Sequence, residues 1–243
     1  AAQVPYYLHA ALLLGGPARP VAFSVPTGNF GDIFAGYVAA SMGLPIDRLV
    51  VATNVNDILT RFLQSGEYRT LGVSPTMSPS MDIQVSSNFE RLLFDLLGRD
   101  GAPVRSAMDR LVQGGGFTVP DSALTTARKQ FSGHRVDEDQ CLDVMRRVHA
   151  ETGEVIDPHT AIGVGAAWAS RAQGEIDPET PMVTLSTAHP AKFPDAVEKA
   201  IGKRPDLPER VADLFDRKER MDVLPNDLAA VQKFIRERAR IAG

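Results

Sequence analysis

Residues 21–42 read VAFSVPTGNFGDIFAGYVAASM, and the fold of the chain follows from this stretch. Val21, Phe23 and Val25 alternate as a half-buried strand does, and Pro26 closes the run. Thr27-Gly28-Asn29-Phe30-Gly31 is a turn rich in residues that tolerate positive φ. From Asp32 onward Ile33, Phe34, Tyr37, Val38 and Met42 recur at helical spacing, with small residues between them. A strand, a Gly/Asn turn and a helix N-terminus aim backbone N–H groups at one point, with the positive end of the helix dipole behind them. That arrangement cradles a phosphate. The same residues also suit an ordinary βα turn whose glycines only let the chain bend, and Asp32 in the first turn already uses the dipole. The spacing is neither G-x-G-x-x-G nor G-x-x-x-x-G-K-[ST], which sets aside the dinucleotide and P-loop readings.

Working outward, residues 3–14 read as an amphipathic helix ended by Gly15-Gly16-Pro17. On the other side Gly43-Leu44-Pro45 stops the helix, and residues 49–52 form a short apolar run, a buried parallel strand. The resulting β-α-β implies a right-handed crossover. The second strand ends in Thr53-Asn54-Val55-Asn56-Asp57, a polar loop at the edge where open α/β sheets hold ligands. Asn56 or Asp57 serves equally as N-cap of a helix over 58–63. Residues 64–87 are Ser/Pro/Gly-rich and form a long excursion. Ser86-Ser87-Asn88 then caps a helix over 89–97.

Residues 99–153 read as a small helical lobe, broken at Gly114-Gly115-Gly116, reopened by Pro120-Asp121, with Asp137 capping its last helix. His134 and His149 have no partners at metal-ligand spacing, so exposed or capping roles are expected for both. Asp157 caps, and Pro158 opens, a helix of small residues that can pack very close to a neighbour. Residues 182–185 are a last strand. It runs into Ser186-Thr187-Ala188-His189-Pro190-Ala191-Lys192-Phe193, polar again at a strand's C-terminal end. Surface helices over 209–216 and 227–239 close the chain. The fold class expected is α/β, an open parallel sheet flanked by helices. Its parts are 1–98, a βαβ portion with the excursion; 99–153, the lobe; and 154–243, which returns to the sheet and ends in helices.

The 243 residues carry a formal net charge of −4, which argues against nucleic acid as a partner. No apolar stretch reaches the ~18 residues needed to span a bilayer, and no basic run suggests a membrane surface. Cys141 is the only cysteine, so a disulfide framework and a cysteine-based metal site are excluded, no metal site is expected, and a reducing cytoplasm is the expected compartment. The chain begins in a helix with no initiator Met and no cap, as a chain starting inside a domain does.

Taken together, VPTGNFGDIFAGYVAASMGLP, ATNVNDILTRFL, SPSMDIQVSSNFERLLFDLLG, IDPHTAIG, LSTAHPAKF and VLPNDLAAVQKFI resemble the threonine synthases. These are pyridoxal-phosphate (PLP) enzymes of fold type II, tryptophan synthase β-like in architecture. The blocks occur in the family's order from the first residues to the last. The resemblance implies conversion of O-phosphohomoserine and water to threonine and phosphate, with PLP as electron sink. By that similarity Gly28, Asn29, Phe30 and Gly31 match the family's PLP-phosphate loop. Thr187 matches the hydroxyl residue against the pyridine nitrogen, with Ser186 one residue away as the alternative. Asn54, Asn56, Asp57, Ser87 and Arg91 lie in matching blocks as substrate-binding candidates, as does Arg61, although capping and ion pairing explain them equally.

The chain departs from the family in one respect. The Schiff-base lysine, preceded by Phe and followed by Asp in an earlier segment, has no counterpart here, so no catalytic residue is assigned in this chain. Lys192 lies in the wrong block. The sequence therefore looks like roughly the C-terminal half of the enzyme, with the missing N-terminal half as a partner, and is expected to be inactive alone. The alternatives are another fold-type-II lyase or dehydratase, or a non-catalytic remnant that binds a phosphorylated metabolite.

Overall fold

The computed structural model describes residues 2–239. In chain order they form α1 (Val4–Leu13), β1 (Val21–Pro26), α2 (Gly31–Ser41), β2 (Ile46–Thr53), α3 (Ile58–Ser65), β3 (Glu67–Arg69), α4 (Phe89–Leu96), α5 (Gly101–Gly114), β4 (Gly116–Thr118), α6 (Asp121–Gln130), β5 (Phe131–Arg135), α7 (Glu138–Thr152), α8 (Pro158–Ala172), β6 (Met182–Thr184), α9 (Pro194–Ile201) and α10 (Leu228–Arg238). Residues Ala1–Pro205 make one compact unit and Asp206–Gly243 another.

The first unit is built on a parallel sheet in the order β5-β2-β1-β6. Phe23 pairs with Leu49 on one side and with Val183 on the other, so β1 is an interior strand. All six of its residues are buried, where alternation had suggested a half-exposed strand. The cause is that both faces of the sheet are covered. Val21, Phe23 and Val25 join Tyr7 of α1 and Ile33 of α2 in one apolar cluster, while Ala22, Val50 and Ala52 join Ala161, Ile162 and Ala166 of α8 in another. Ser24 disguised the pattern; its hydroxyl is spent on the Gly163 carbonyl at 2.6 Å. α8 comes this close because Gly163 lacks a side chain, and a Cβ there would lie 2.8 Å from Thr184 Cγ2 and 3.1 Å from Pro26 Cγ.

Span 99–153 contains strands as well as helices. β5 pairs with β2 and forms an edge of the main sheet, and β4 pairs antiparallel with the distant β3. His134 lies on β5, 8% exposed, with Nε2 2.8 Å from Glu175 Oε2, so it is neither exposed nor a cap. Glu175 is drawn below the ordinary carboxylate range: burial pushes it up, but hydrogen bonds from Ser170 and His134 outweigh that. Asp137 caps α7 through a full capping box with Gln140. Cys141 is buried behind it, and burial with the nearby Glu138, Asp157 and Asp137 carboxylates pushes its thiol up to about 12. In the second unit, 209–216 is two 3-10 turns, Glu209–Val211 and Leu214–Asp216, and not the single helix expected. Asp227 caps α10 by accepting from Ala230 N.

Candidate active site

Parallel strands put all their C-terminal ends on one edge of a sheet. At that edge a cleft of about 820 Å³ is lined by Gly28, Asn29, Gly31 and Asp32 after β1 and by Ser80, Met81, Asn88 and Arg91 from the excursion and α4. His159 at the start of α8 and Ser186, Thr187, Lys192 and Phe193 after β6 complete the wall.

The turn after β1 is held in a conformation its sequence makes possible. Asn29 Oδ1 accepts from Gly31 N at 2.8 Å, an Asx turn that opens α2. Phe30 stands at φ 65°, a left-handed conformation unusual for a bulky residue. Its ring anchors the strain, being 2% exposed and packed on Phe89 and Phe131 with centroids at 5.4 and 5.7 Å. Phe30 therefore belongs to the core by its side chain and is not part of the cleft lining, which the turn supplies through Gly28, Asn29 and Gly31. Among the described residues the amides of Gly28, Asn29 and Phe30 donate to no protein acceptor. The excursion closes over this turn. Ser86 Oγ donates to Gly28 O, Asn88 N donates to Asn29 O, and a Cβ on Gly28 would meet the Ser80 carbonyl at 2.8 Å. Asp32 accepts from the Tyr7 hydroxyl, and burial raises its pKa above the ordinary value, partly offset by that hydrogen bond.

Asn54 and Asn56 do not line the cleft; they tie the excursion down. Asn54 Nδ2 reaches Thr76 Oγ1, Ser78 Oγ and Asp82 Oδ1 at 2.8 to 3.0 Å, and Asn56 Nδ2 reaches Ser74 O and Asp82 Oδ1. Asn56 Oδ1 accepts from Ser74 N. Asp57 stands at the N-cap of α3 but makes no capping bond. Its carboxylate pairs with Arg61 at 2.8 Å and Arg135 at 3.5 Å. Likewise no side-chain cap holds α4, although Asn88 is at the N-cap. Ser87 is exposed and outside the cleft lining, whereas Arg91 is part of it. A buried amide with three acceptors is costly to delete. Asn54→Ala is expected to lower stability by about 2–3 kcal/mol and to open residues 70–84 to protease before the core melts, measured by urea unfolding and limited proteolysis.

The cleft also carries a histidine that the sequence did not single out, His159, held by the Asp157 cap. Asp157, 0% exposed, caps α8 by accepting from His159 N and Thr160 N, and also takes the Thr160 hydroxyl and His159 Nδ1, the last at 2.8 Å. Thr160 Oγ1 lies 3.4 Å from Ser186 Oγ, which joins this cap to the segment after β6. His159 is 3% exposed, its ring packs 4.6 Å from that of Phe193, and its Nε2 is buried without a partner. The available signal was Asp-x-His-Thr at a helix start on a ligand-binding edge.

The family model described as "Threonine synthase, C-terminal" matches residues 160–235. The threonine synthase of Pseudomonas aeruginosa is 56% identical over 235 residues, 96% of this chain and 49% of its own length. The chain belongs to the threonine synthase family. That of Corynebacterium glutamicum is 44% identical over 96% of the chain and 49% of its own length, so the chain spans about half the length of the curated relatives it matches. The crystal structure of PLP-bound threonine synthase from Brucella melitensis is similar with a TM-score of 0.89 and 53% identity, over 98% of this chain and 50% of that one. The yeast threonine synthase structure gives 0.87 and 38%, over 97% and 51%. In this chain residues from the blocks GNFGD, PHTA and TAHPAKF line one cleft, while Asn54 and Asn56 of NVND brace the excursion. No described helix is long and apolar enough to cross a membrane.

Proposed function

We propose that the chain is the C-terminal part of a threonine synthase converting O-phosphohomoserine and water to L-threonine and phosphate with PLP. The observation that carries this reading is the turn Gly28–Gly31. Its amides at Gly28, Asn29 and Phe30 have no protein acceptor among the described residues and stand at the N-terminus of α2, where Gly28, Asn29 and Gly31 line the same cleft as His159, whose Nε2 is unpartnered. The residues present fit the cofactor: Gly28, Asn29, Phe30 and Gly31 would hold its phosphate, and Thr187 or Ser186 its pyridine nitrogen. PLP supplies an electron sink for chemistry at the substrate carbons.

Everything else falls to the chain's own groups. A hydroxyl at 187 accepts from or donates to a ring nitrogen without holding it charged, as a carboxylate would. Arg91, on the cleft wall, is the cation we assign to the substrate phosphate. The excursion, clamped by Asn54 and Asn56, supplies Ser80 and Met81 to the wall beside the cradle. Cys141 as the single cysteine keeps a reducing cytoplasm as the proposed compartment.

Lys192 lines the cleft but is exposed and follows β6, outside the context of the family's Schiff-base lysine. That lysine belongs to the N-terminal half, the proposed partner of this chain. Incubated with PLP and reduced with borohydride, the purified chain is expected to bind the cofactor without stoichiometric pyridoxyl label on any lysine, as read by peptide mapping. Full labelling of Lys192 would overturn the assignment.

A further inference from the structure

We propose that His159 is a ligand-contacting residue of the cleft. Its Nε2 accepts a hydrogen bond from an N–H group of an amino-acid ligand, and Asp157 is its positioning residue.

The geometry leaves the imidazole few choices. Asp157 Oδ1 is an acceptor 2.8 Å from Nδ1, so the hydrogen sits on Nδ1, which in the neutral ring leaves the lone pair on Nε2. A carboxylate at Nδ1 fixes both the tautomer and the ring's orientation, and stabilises any positive charge the ring acquires. Asp157 is itself immobilised by the Thr160 hydroxyl and by two backbone amides of the first turn of α8. Phe193 blocks rotation from the other side. What remains is a buried acceptor with no partner among the described residues. Orphaned acceptors of this kind are rare in folded proteins, because each forfeits the hydrogen bond it had in water. His149 Nδ1 is also buried without a partner, but of the two histidines only His159 lines the cleft.

The charges around the cleft say which ligand supplies the hydrogen. Beyond the turn assigned to the cofactor phosphate, Arg91 and Lys192 suit a second anion, while Asp32 and His159 Nε2 are acceptors on the same cavity. A ligand with a phosphate at one end and an ammonium at the other satisfies both groups, and a simple phosphate satisfies only the first. The inference rests on reading this cleft as the site of a phosphorylated amino acid. It adds to that reading a residue that senses the amino end.

The test uses the whole 243-residue chain with 15N-labelled histidine and two probes. O-phosphohomoserine carries the ammonium, and n-butyl phosphate has a similar phosphate and chain without it. In the free protein His159 is expected to show a protonated Nδ1 and a bare Nε2. Asp157→Asn should abolish that tautomer preference. O-phosphohomoserine should move the Nε2 resonance toward the hydrogen-bonded range, and n-butyl phosphate should leave it in place. His159→Phe, which keeps a planar ring against Phe193, should weaken O-phosphohomoserine binding about tenfold and n-butyl phosphate less than about twofold. Equal effects on the two ligands, an unmoved Nε2 with ligand bound, or a proton found on Nε2 in the free protein would overturn the role of His159 while leaving the cleft reading intact. Failure of the folded wild-type chain to bind either probe would overturn both.

Discussion

Asp157→Ala is expected to cost about 3–5 kcal/mol of stability, the range for stripping the partner from a buried, hydrogen-bonded polar cluster. The carboxylate is fully buried and takes four donors: the amides of His159 and Thr160, the Thr160 hydroxyl and the His159 ring. Loss of an exposed cap costs only about 1 kcal/mol, because water replaces it. Here water has no access, since His159 to Gly163 are all buried against the sheet. With a typical domain stability of roughly 5–15 kcal/mol, this is a fifth or more of the total. It corresponds to a fall in melting temperature of roughly 10 °C for a unit of this size. Asp157→Asn keeps one acceptor and the shape, and should cost about half as much. Urea unfolding of the two variants measures both numbers. A loss under about 1 kcal/mol for Asp157→Ala would mean that the start of α8 is held by packing and not by its cap.

How much of this was visible in the residues depends on whether the signal was local. The β1-turn-α2 unit, the Asp157 cap with Pro158, and the close approach of α8 were legible because glycine, proline and N-cap chemistry act within a few residues. β2 begins earlier than its apolar run, at Ile46, because Asp47 and Arg48 interrupt the hydrophobic pattern before the buried half. β5, FSGHR, has almost no strand signature. It is a strand because the edge of β2 offers it hydrogen bonds, which is tertiary context. β3 and β4 are three residues each and 45 or more apart, so only the folded chain brings them together. The site divides in the same way. The turn and the segment from Ser186 announced themselves by position at strand ends, while Thr187 within that segment was picked out only by the family resemblance. Asn54 and Asn56 stand at such an end too, yet their side chains turn to the excursion, whose Asp82 and Thr76 no spacing rule links to them. His159 stayed hidden because its orphaned nitrogen is a property of packing.

Gly28→Val should weaken PLP binding at least tenfold while the sheet stays folded, as measured by titration of the purified chain and by its melting curve. Two causes are open to this substitution, and the structure makes them separable. A side chain at 28 stands beside the amides proposed to hold the phosphate, so it can block the ligand directly. It also drives a Cβ to 2.8 Å from the Ser80 carbonyl and 3.2 Å from Met81 Cα, and these backbone atoms have to shift. Residues 80 and 81 are the same stretch that Asn54 fastens from the far side through Ser78 and Asp82. If Gly28→Val works by displacing that loop, Asn54→Ala has already lost part of what it can remove. The double variant then binds PLP better than the sum of the two losses predicts. If the side chain works on the ligand itself, the losses add to within about 0.5 kcal/mol. The close approach at Ser80 favours coupling, and a double-mutant cycle on PLP affinity is expected to show an interaction energy above about 0.5 kcal/mol. An unchanged PLP titration for Gly28→Val in a folded protein would leave the turn with a structural role only.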